Sequence, residues 1–548
     1  MTGARGLRRA AVALVAVAAA MVVLVPLLVM ARTVWVEGAG RLGDILTTSG
    51  LGSAVENTLL LAAAVTALAV PLGTLLALAL RRPDLPGRSF LRVALLLPVL
   101  VPDFVLGYSW LRAYGRTGFT DDLGRVYWQG VQGPAGVAIV LVVNAVPLVY
   151  LITAVGLAAR AEPALERAAR SSGARPLTVL RTVSLPLLRP AIATAAVLVF
   201  VLTLGAFAIP LVMGSPAGFS TVTTRIYANL VRSSDPLAFV EAVGLALLLV
   251  VIAALLVTPA DALLGPRLRV TRPASTDPGG VSASRASGRW AAAAIGCYLV
   301  LAVGLPLLAL VATAVTRAVG LPPSPANWTL ANFGSVLTAR NGAALSRSLL
   351  LAAVAATVLV LLGGCVAALE RSRSGRGVAT LVTLTLVLPG STLAVGLLIT
   401  YGRWLGDTLL IILLAYLAKL WAVAHRPISG ALDRLPPDEL HASRASGASP
   451  LTAIRTVVLR PLAPALLTAW VLCFLTALHE VTMSSLLYGP GNETLAVVVL
   501  NSEELGQVES TAALSLLLTL LLLIPALVFW VVIRRLNRDP QAASQELV

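Results

Sequence analysis

The sequence predicts an all-α polytopic membrane protein with about twelve transmembrane helices. Of its 548 residues, 58% are hydrophobic and only 12% are charged, whereas soluble domains average about 25% charged residues. The apolar residues form almost uncharged blocks of about 20 residues, the length at which a helix crosses a hydrocarbon core of about 30 Å. A water-soluble core cannot hide this many apolar side chains, so a lipid bilayer must surround them.

Twelve such blocks follow one another, and each is expected to form one membrane helix. They lie at about 10–31, 57–80, 90–113, 134–159, 191–213, 240–260, 290–316, 345–369, 378–402, 407–424, 465–487 and 511–533. The first block exceeds the roughly 7 to 15 apolar residues of a secretory signal and precedes no clear cleavage site, which predicts that it is retained. An even number of crossings returns the C-terminus to the side of the N-terminus.

The distribution of arginine predicts that both termini lie in the cytoplasm. Every second connection is rich in arginine, namely 81–92, 160–189, 267–289, 371–376 and 534–538. Cytoplasmic connections of membrane proteins are enriched in Lys and Arg, so this pattern orients the chain. It also accounts for the net charge of +16 without a nucleic-acid partner.

The twelve blocks divide into two halves. Residues 262–289 are rich in Pro, Gly, Ser and Arg and lack apolar periodicity, which is typical of a linker. The first six blocks then belong to a domain at 1–261 and the last six to a domain at 290–548.

An internal repeat relates the two halves. The segments from Arg170 to Ile192 and from Arg444 to Leu466 are identical at 14 of 23 positions, at a constant offset of 274 residues. Shared hydrophobicity cannot explain this, because the identical residues include Arg, Ser, Gly, Pro and Thr. Each copy follows the fourth block of its half and precedes the fifth, so the halves are parallel repeats.

Each copy is expected to form a helix-turn-helix projection into the cytoplasm. The Ala-rich stretch from Glu166 to Ser172 favours a short helix. Gly173 permits the left-handed residue that ends it, and Pro176 suits the first turn of the next helix. Held on two membrane helices, such a projection could transmit the movement of a docked partner into the bilayer.

These segments resemble the EAA loop of binding-protein-dependent ABC importer permeases, in which Glu-Ala-Ala, three residues and Gly precede an apolar-Pro stretch. The matching positions are Ala168, Ala169, Gly173, Leu185, Pro186 and Pro190 in the first copy, and Ala442, Gly447, Leu459 and Pro464 in the second. The glutamate position holds Arg167 in one copy and His441 in the other, while Glu166 and Glu439 lie nearby but out of register. Ser443 replaces the second alanine, and Arg460 stands where Pro186 stands in the first copy.

The resemblance implies the fold and partners of a type I ABC importer permease in the bacterial cytoplasmic membrane. Two copies of an ATPase subunit would dock at the cytoplasmic face and use ATP and Mg, while a periplasmic or lipid-anchored protein delivers the solute. This chain itself would bind no cofactor. The implied coupling-loop residues are Glu166, Arg167, Ala168, Ala169, Gly173, Ala174, Pro186, Glu439, His441, Ala442, Gly447, Ala448 and Pro464.

The sequence also indicates that the ATPase is a separate polypeptide. ATP hydrolysis of this kind uses a GxxxxGK[ST] loop, but the one lysine, Lys419, lies in an apolar block without a glycine frame. We expect Lys419 to reach towards the cytoplasmic face, as long basic side chains near helix ends do. The connections are also too short for a solute-binding domain of about 100 residues.

Ionisable and helix-breaking residues within the blocks are candidates for the translocation path or its gate. Charged residues at membrane depth are costly, and broken helices are tolerated where they line a cavity or are buried in protein. The candidates are Pro102, Asp103, Gly107, Pro389, Gly390 and Glu480. Interhelical hydrogen bonds, interfacial positions or ordinary kinks remain open alternatives, and His479 is expected to be packed rather than to bind a metal.

Several strings resemble the ferric-iron branch of the family, among them LLLPVLVPDFVLGYSWL and HEVTMSSLLYGPGNETLAVVVL. Polyamine, thiamine and phosphonate permeases are similar alternatives. An ion-coupled secondary transporter would need carboxylates paired near the midplane and no ATPase-docking loop, which this sequence does not favour. A membrane enzyme is disfavoured because no catalytic set recurs among the three histidines and three cysteines.

Overall fold

The computed structural model describes residues 2–38, 50–160, 163–268, 285–322, 324–370 and 373–536. These residues form helices and connections, and apart from one isolated bridge between Thr316 and Trp328 they contain no β-structure. The predicted all-α class is confirmed.

In the described parts of the chain, twelve helices follow the predicted order, and two of them, α3 and α9, are broken into two pieces. They are α1 (Val12–Glu37), α2 (Leu51–Leu80), α3a and α3b (Arg88–Leu100 and Asp103–Tyr114), α4 (Pro134–Ala159), α5 (Pro176–Leu204), α6 (Pro236–Val257), α7 (Ser287–Val315), α8 (Ala339–Glu370), α9a and α9b (Arg373–Leu384 and Gly390–Leu405), α10 (Leu409–Leu432), α11 (Leu451–Leu478) and α12 (Val508–Val532). The short helices include Pro163–Ser171, Val222–Tyr227, Ala331–Val336, Pro437–Ala445, Ser484–Leu487 and Leu495–Glu504.

The breaks in α3 and α9 fall at Pro102 and Pro389, two of the helix-breaking residues that the sequence places in the third block of each half. Pro102 and Pro389 precede α3b and α9b with nearly the same backbone angles, φ −54° and ψ 140° against φ −59° and ψ 141°. A proline donates no backbone hydrogen bond and drives the preceding residue out of the helical region. Within the described residues, ten helices are long and apolar enough to cross a membrane, and α3, bent by 104°, would be an eleventh. The pieces of α9 have only 12 and 16 residues.

Helices α5 and α11 begin earlier than predicted, and each ends earlier as well. The expected spans at 191–213 and 465–487 are Pro176–Leu204 and Leu451–Leu478 in the structure. Apolarity set the predicted limits, but the helices end where Gly205 and His479 leave the helical conformation. The second helix of each predicted projection and the membrane helix that follows it are therefore one continuous element.

Equivalent helices pack in the same way in both halves, which confirms the parallel repeat. Helices α2, α4 and α5 pack together in the first half, as α8, α10 and α11 do in the second. The backbone N–H of Val222 donates to the Thr58 hydroxyl at 2.8 Å, and that of Leu495 donates to the Ser348 hydroxyl at 2.8 Å. In each half, a hydroxyl on the second helix therefore binds the segment that follows the fifth helix.

Glycines allow close contact between the second and fourth helices of each half. A Cβ atom at Gly73 in α2 would lie 2.6 Å from the Cβ of Val149 in α4. One at Gly363 in α8 would lie 3.0 Å from the backbone nitrogen of His425 in α10. Both glycines are needed because the facing helix leaves no room for a side chain.

We expect Gly363→Val to destabilise the protein by about 1–3 kcal/mol, because overpacking forces the helices apart. Gly364→Val is the matched control, since a Cβ at Gly364 would meet nothing within 4 Å and both changes alter helix propensity alike. Thermal unfolding of the purified proteins in detergent measures the difference. Equal unfolding temperatures for the two variants would contradict the close contact.

The first helix of each half packs against the other half. Helix α1 contacts α8 and α9, while α7 contacts α3b. The Tyr401 hydroxyl donates to the carbonyl of Met21 at 2.7 Å, and the Trp110 indole N–H donates to the carbonyl of Ala302 at 3.0 Å. These contacts, in which the first helix of each half packs against the other half, hold the halves together.

Candidate functional site

The first candidate site is a helix-turn-helix projection that includes the first turn of α5, here called the first elbow (163–179). Its short helix, Pro163–Ser171, ends at Gly173, whose φ of +84° lies in the left-handed region that glycine adopts without strain. The N–H of Gly173 donates to the carbonyl of Arg170 at 2.8 Å, and that of Ala174 donates to the carbonyl of Ala169 at 3.0 Å. These bonds satisfy carbonyls at the helix end.

The second elbow (437–453) has the same design before α11. Its helix, Pro437–Ala445, ends at Gly447, whose φ is +86°. The N–H of Ala448 donates to the carbonyl of Ser443 at 3.2 Å. The predicted turn geometry is therefore present in both copies.

Most predicted coupling residues lie on the elbow surface. Arg167, Ala168 and Gly173 are exposed in the first elbow, as are Glu439, Ala442 and Gly447 in the second. The partly exposed members of the predicted set are Ala169, Ala174, Ala448, Pro186 and Pro464. The side chain of His441 lies outside the described part of the structure.

Two exposed leucines are an elbow feature that the sequence reasoning missed. Leu177 is 55% exposed and Leu451 is 77% exposed, and the repeat offset of 274 relates them. The signal was present, because both belong to the identical Pro-Leu-Thr of the repeat. A large apolar side chain exposed at the same point of both elbows fits a contact with another protein.

Glu166 does not face outward with the other coupling residues. It is only 6% exposed, and Arg81 at the end of α2 donates two hydrogen bonds to its carboxylate, at 3.0 and 3.3 Å. The Ser184 hydroxyl of α5 donates a third at 3.0 Å. The carboxylate of Glu166 therefore binds within the chain and is not available to a docked partner.

The second half has a carboxylate at the end of α8, but its hydrogen-bond partners lie in a membrane helix. Glu370, the last residue of α8, accepts a hydrogen bond from the Ser429 hydroxyl at 2.8 Å and lies 3.1 Å from the His425 Nε2. Both partners belong to α10, so within the described side chains this cluster joins two membrane helices.

The second candidate site lies where the breaks of α3 and α9 meet the ends of α11 and α5. A Cβ atom at Gly205 would lie 3.4 Å from the Cβ of Pro389. In the other half, Asp103 after the α3 break lies near enough to His479 at the end of α11 for their charges to interact. Four of the path candidates, Pro102, Asp103, Pro389 and Gly390, thus lie at the junction between the halves.

Glu480 stabilises the backbone at this junction. Its carboxylate accepts hydrogen bonds from the backbone N–H of Met483, at 3.0 and 2.9 Å, and from that of Ser484 at 3.2 Å. A Cβ at Gly390 would lie 3.8 Å from its Oε1. Glu480 is therefore an intramolecular hydrogen-bond acceptor beside the α9 break.

Lys419 has a different role from the expected one. Its ammonium does not extend to the cytoplasmic face but donates to the carbonyl of Leu386 at 3.1 Å and to that of Leu388. These carbonyls belong to the break in α9, where no helix supplies donors, and Lys419 also attracts Glu480. The proline-induced break created a need for a half-buried donor that hydropathy alone did not reveal.

Asp103 is the path candidate with the most open side chain. It is exposed although its neighbours Pro102 and Phe104 are buried, and the Asn144 side-chain amide donates to its Oδ1 at 2.8 Å. Gly107, by contrast, is buried and packs against Ile209 and Met213, so it serves helix contact. His479 directs Nδ1 at the carbonyl of Leu475, 2.7 Å away, as expected of a packed histidine.

The connection that follows Glu480 is fixed to the start of α8 by Glu493. Arg340 donates a hydrogen bond to its carboxylate at 2.8 Å, and an Arg347 nitrogen lies 3.5 Å away. Burial alone would raise the pKa of Glu493, but the hydrogen bond and the charges of the two arginines outweigh burial and lower it. The carboxylate therefore stays ionised and keeps this connection in place.

Comparison with known proteins places both halves in one family. The family model of the binding-protein-dependent transport system inner membrane component matches residues 69–270 and 360–540. Each match includes one elbow and the membrane helices on either side of it.

Three curated relatives illustrate the similarity. The Fe(3+)-transport system permease protein FbpB 2 of Haemophilus influenzae is 25% identical over 497 residues, covering 89% of this chain and 91% of that protein. The molybdenum transport system permease protein ModB of Mycobacterium bovis is 37% identical over 246 residues, covering 44% and 89%. The putrescine transport system permease protein PotI of Escherichia coli is 29% identical over 228 residues, covering 39% and 80%.

Proposed function

The chain belongs to the family of inner membrane components of binding-protein-dependent transport systems, and from this premise we propose that it is the fused permease of an ATP-driven importer of ferric iron. It is a multi-pass protein of the inner membrane. Its two halves, 1–261 and 290–548, together form the pathway, and residues 262–289 link them in the cytoplasm with both termini on the same side.

The elbows would couple ATP hydrolysis to transport. One copy of a separate ATPase subunit docks on each elbow, and the pair uses ATP and Mg while this chain binds no cofactor. Because each elbow is continuous with a membrane helix, α5 or α11, closure of the ATPase pair moves those helices directly. A rigid-body motion of this kind turns the halves between outward-facing and inward-facing states.

The junction between the halves is the proposed gate. Asp103 and Glu480 come from opposite halves, and the broken helices α3 and α9 bring backbone and side-chain polar groups together where the halves can separate. In the outward-facing state this gate receives the solute from a periplasmic or lipid-anchored binding protein. Hydrolysis and release then restore the inward-facing state.

The match to a ferric permease over both fused halves carries the assignment to iron. FbpB 2 aligns with 89% of this chain as a single polypeptide, whereas ModB and PotI align with 44% and 39%. The higher identity of ModB, 37%, makes molybdate the second candidate, and the PotI match keeps polyamines in the comparison.

Uptake by reconstituted vesicles tests the proposed function. The permease is inserted into liposomes with its ATPase subunit, ATP and Mg are enclosed on the ATPase side, and the binding protein is supplied outside. We expect radioactive ferric iron to accumulate with ATP and not with a non-hydrolysable analogue. Labelled molybdate and putrescine are the competing substrates.

Accumulation of molybdate or putrescine in place of iron would overturn the solute assignment and leave the transporter class intact. Accumulation of any of the three without the ATPase subunit would overturn the class itself, because an ion-coupled mechanism would then drive transport.

A further inference from the structure

The first elbow is bonded to the membrane helices by a buried ion pair, and the second elbow has no equivalent among the described residues. We propose that Glu166 is a positioning residue that transmits motion of the first elbow to α2 and α5, so that the two elbows contribute unequally to transport. This inference rests on the proposed ATP-driven function.

The geometry of Glu166 fits a mechanical connection. Arg81 is bound to α2 through the main chain, and its guanidinium holds both carboxylate oxygens of Glu166. Ser184 holds one of the same oxygens from α5. Bidentate Arg–carboxylate pairing fixes orientation as well as distance, and the side chains are only 15% and 8% exposed, so water competes little. The short helix of the first elbow, α2 and α5 are therefore joined at one point.

The repeat provides an internal comparison. At the offset of 274 residues, the position of Glu166 is occupied by Leu440, which cannot form an ion pair. The carboxylate of the second half, Glu370, bonds Ser429 and His425 in α10. Displacement of the second elbow can therefore act on α11 through the main chain, but this side-chain route from elbow to second helix is absent from the described residues.

An ion pair that only stabilises the fold and an ion pair that transmits motion differ in the effect that their loss has on coupling between ATP hydrolysis and transport. The surface that faces a docked ATPase consists of residues such as Arg167 and Leu177, which are exposed and lie outside the ion pair. Loss of the Glu166 charge should leave this surface in place while loosening its connection to α2. ATP hydrolysis would then continue without moving the halves fully, and the number of ATP molecules hydrolysed per solute transported would rise.

The experiment compares Glu166→Gln, Arg81→Gln and the double variant with Glu370→Gln as the matched control. Each is co-expressed with the ATPase subunit and reconstituted with the binding protein. We expect Glu166→Gln to retain the ATPase and its hydrolysis but to lower uptake of radioactive ferric iron about tenfold, a typical size for a coupling effect. Because Arg81 and Glu166 act through each other, the double variant should lose no more than either single variant. Glu370→Gln should keep the normal ratio of hydrolysis to uptake.

Normal coupling in Glu166→Gln, or additive losses in the double variant, would overturn the proposal. So would an equal rise in ATP consumption per solute in Glu370→Gln, since the described partners of that carboxylate, Ser429 and His425, both lie in α10. Thermal unfolding in detergent separates a folding defect from uncoupling, because uptake normalised to folded protein must still fall. Failure of the unmodified protein to transport with ATP would instead contradict the proposed function.

Discussion

Replacing Leu177 and Leu451 together by aspartate is expected to release the ATPase subunits from an otherwise intact permease. Both leucines are exposed at matching points of the two elbows, where contact with a docked partner would cover an apolar side chain. An anchor of this kind contributes about 2 kcal/mol to binding. Loss of two anchors, with burial of a charge in place of each, should weaken association at least about a thousandfold. Co-purification through a tag on the permease measures the effect.

The control is Leu123→Asp, since Leu123 is 65% exposed in the connection between α3 and α4, which is on the side opposite the elbows. This variant should retain the ATPase. Deletion of 166–176 or 440–450 should also abolish association while membrane insertion persists. If the double aspartate variant still retains stoichiometric ATPase, the elbows are not the docking surface.

Lys419→Met is expected to destabilise the membrane-embedded core strongly. The change preserves the length of the side chain but removes the donor that satisfies the carbonyls of Leu386 and Leu388 and the positive charge that attracts Glu480. Lys419 and Glu480 are half-buried, and leaving a hydrogen-bonding group without its partner away from water costs about 1–3 kcal/mol. Denaturant titration in mixed micelles should therefore show a large loss of unfolding free energy and a low yield of folded protein.

Arg426→Met is the comparison, because Arg426 is a cation of the same helix, α10, but is exposed. Its loss should change the unfolding free energy by less than about 1 kcal/mol, as is usual for exposed charges. Equal stability of the two variants would show that the carbonyls at the α9 break are satisfied without Lys419.

The elbows show how far a repeated sequence can be interpreted before a structure is known. The helix, the left-handed glycine and the proline of each copy act within a few residues, and the structure confirms them at Gly173 and Gly447. Exposure was harder to predict. Glu166 stands next to Arg167 in the chain, yet one side chain points inward and the other outward, because residues one apart on a helix face different directions.

The junction between the halves shows the opposite situation. Pro102 and Pro389 indicated that the third helix of each half is interrupted, and the structure confirms both interruptions. Nothing in the local sequence indicated that Lys419, some 30 residues further along, satisfies the carbonyls of one interruption. That pairing depends on how α10 packs beside α9, which apolar periodicity does not specify when a helix is buried on several sides.

The sequence by itself determined the helical membrane class, the parallel duplication and the local shape of both elbows. These features depend on composition, on segment length relative to the bilayer and on backbone preferences of Gly and Pro, all of which act over short distances. Only the tertiary structure decided that the first helices are exchanged between the halves, that Glu166 is bound by Arg81 and Ser184, and that Asp103 is bound by Asn144. Such contacts join residues far apart in the chain, and their free energies depend on distances and on the exclusion of water that only the folded bundle creates.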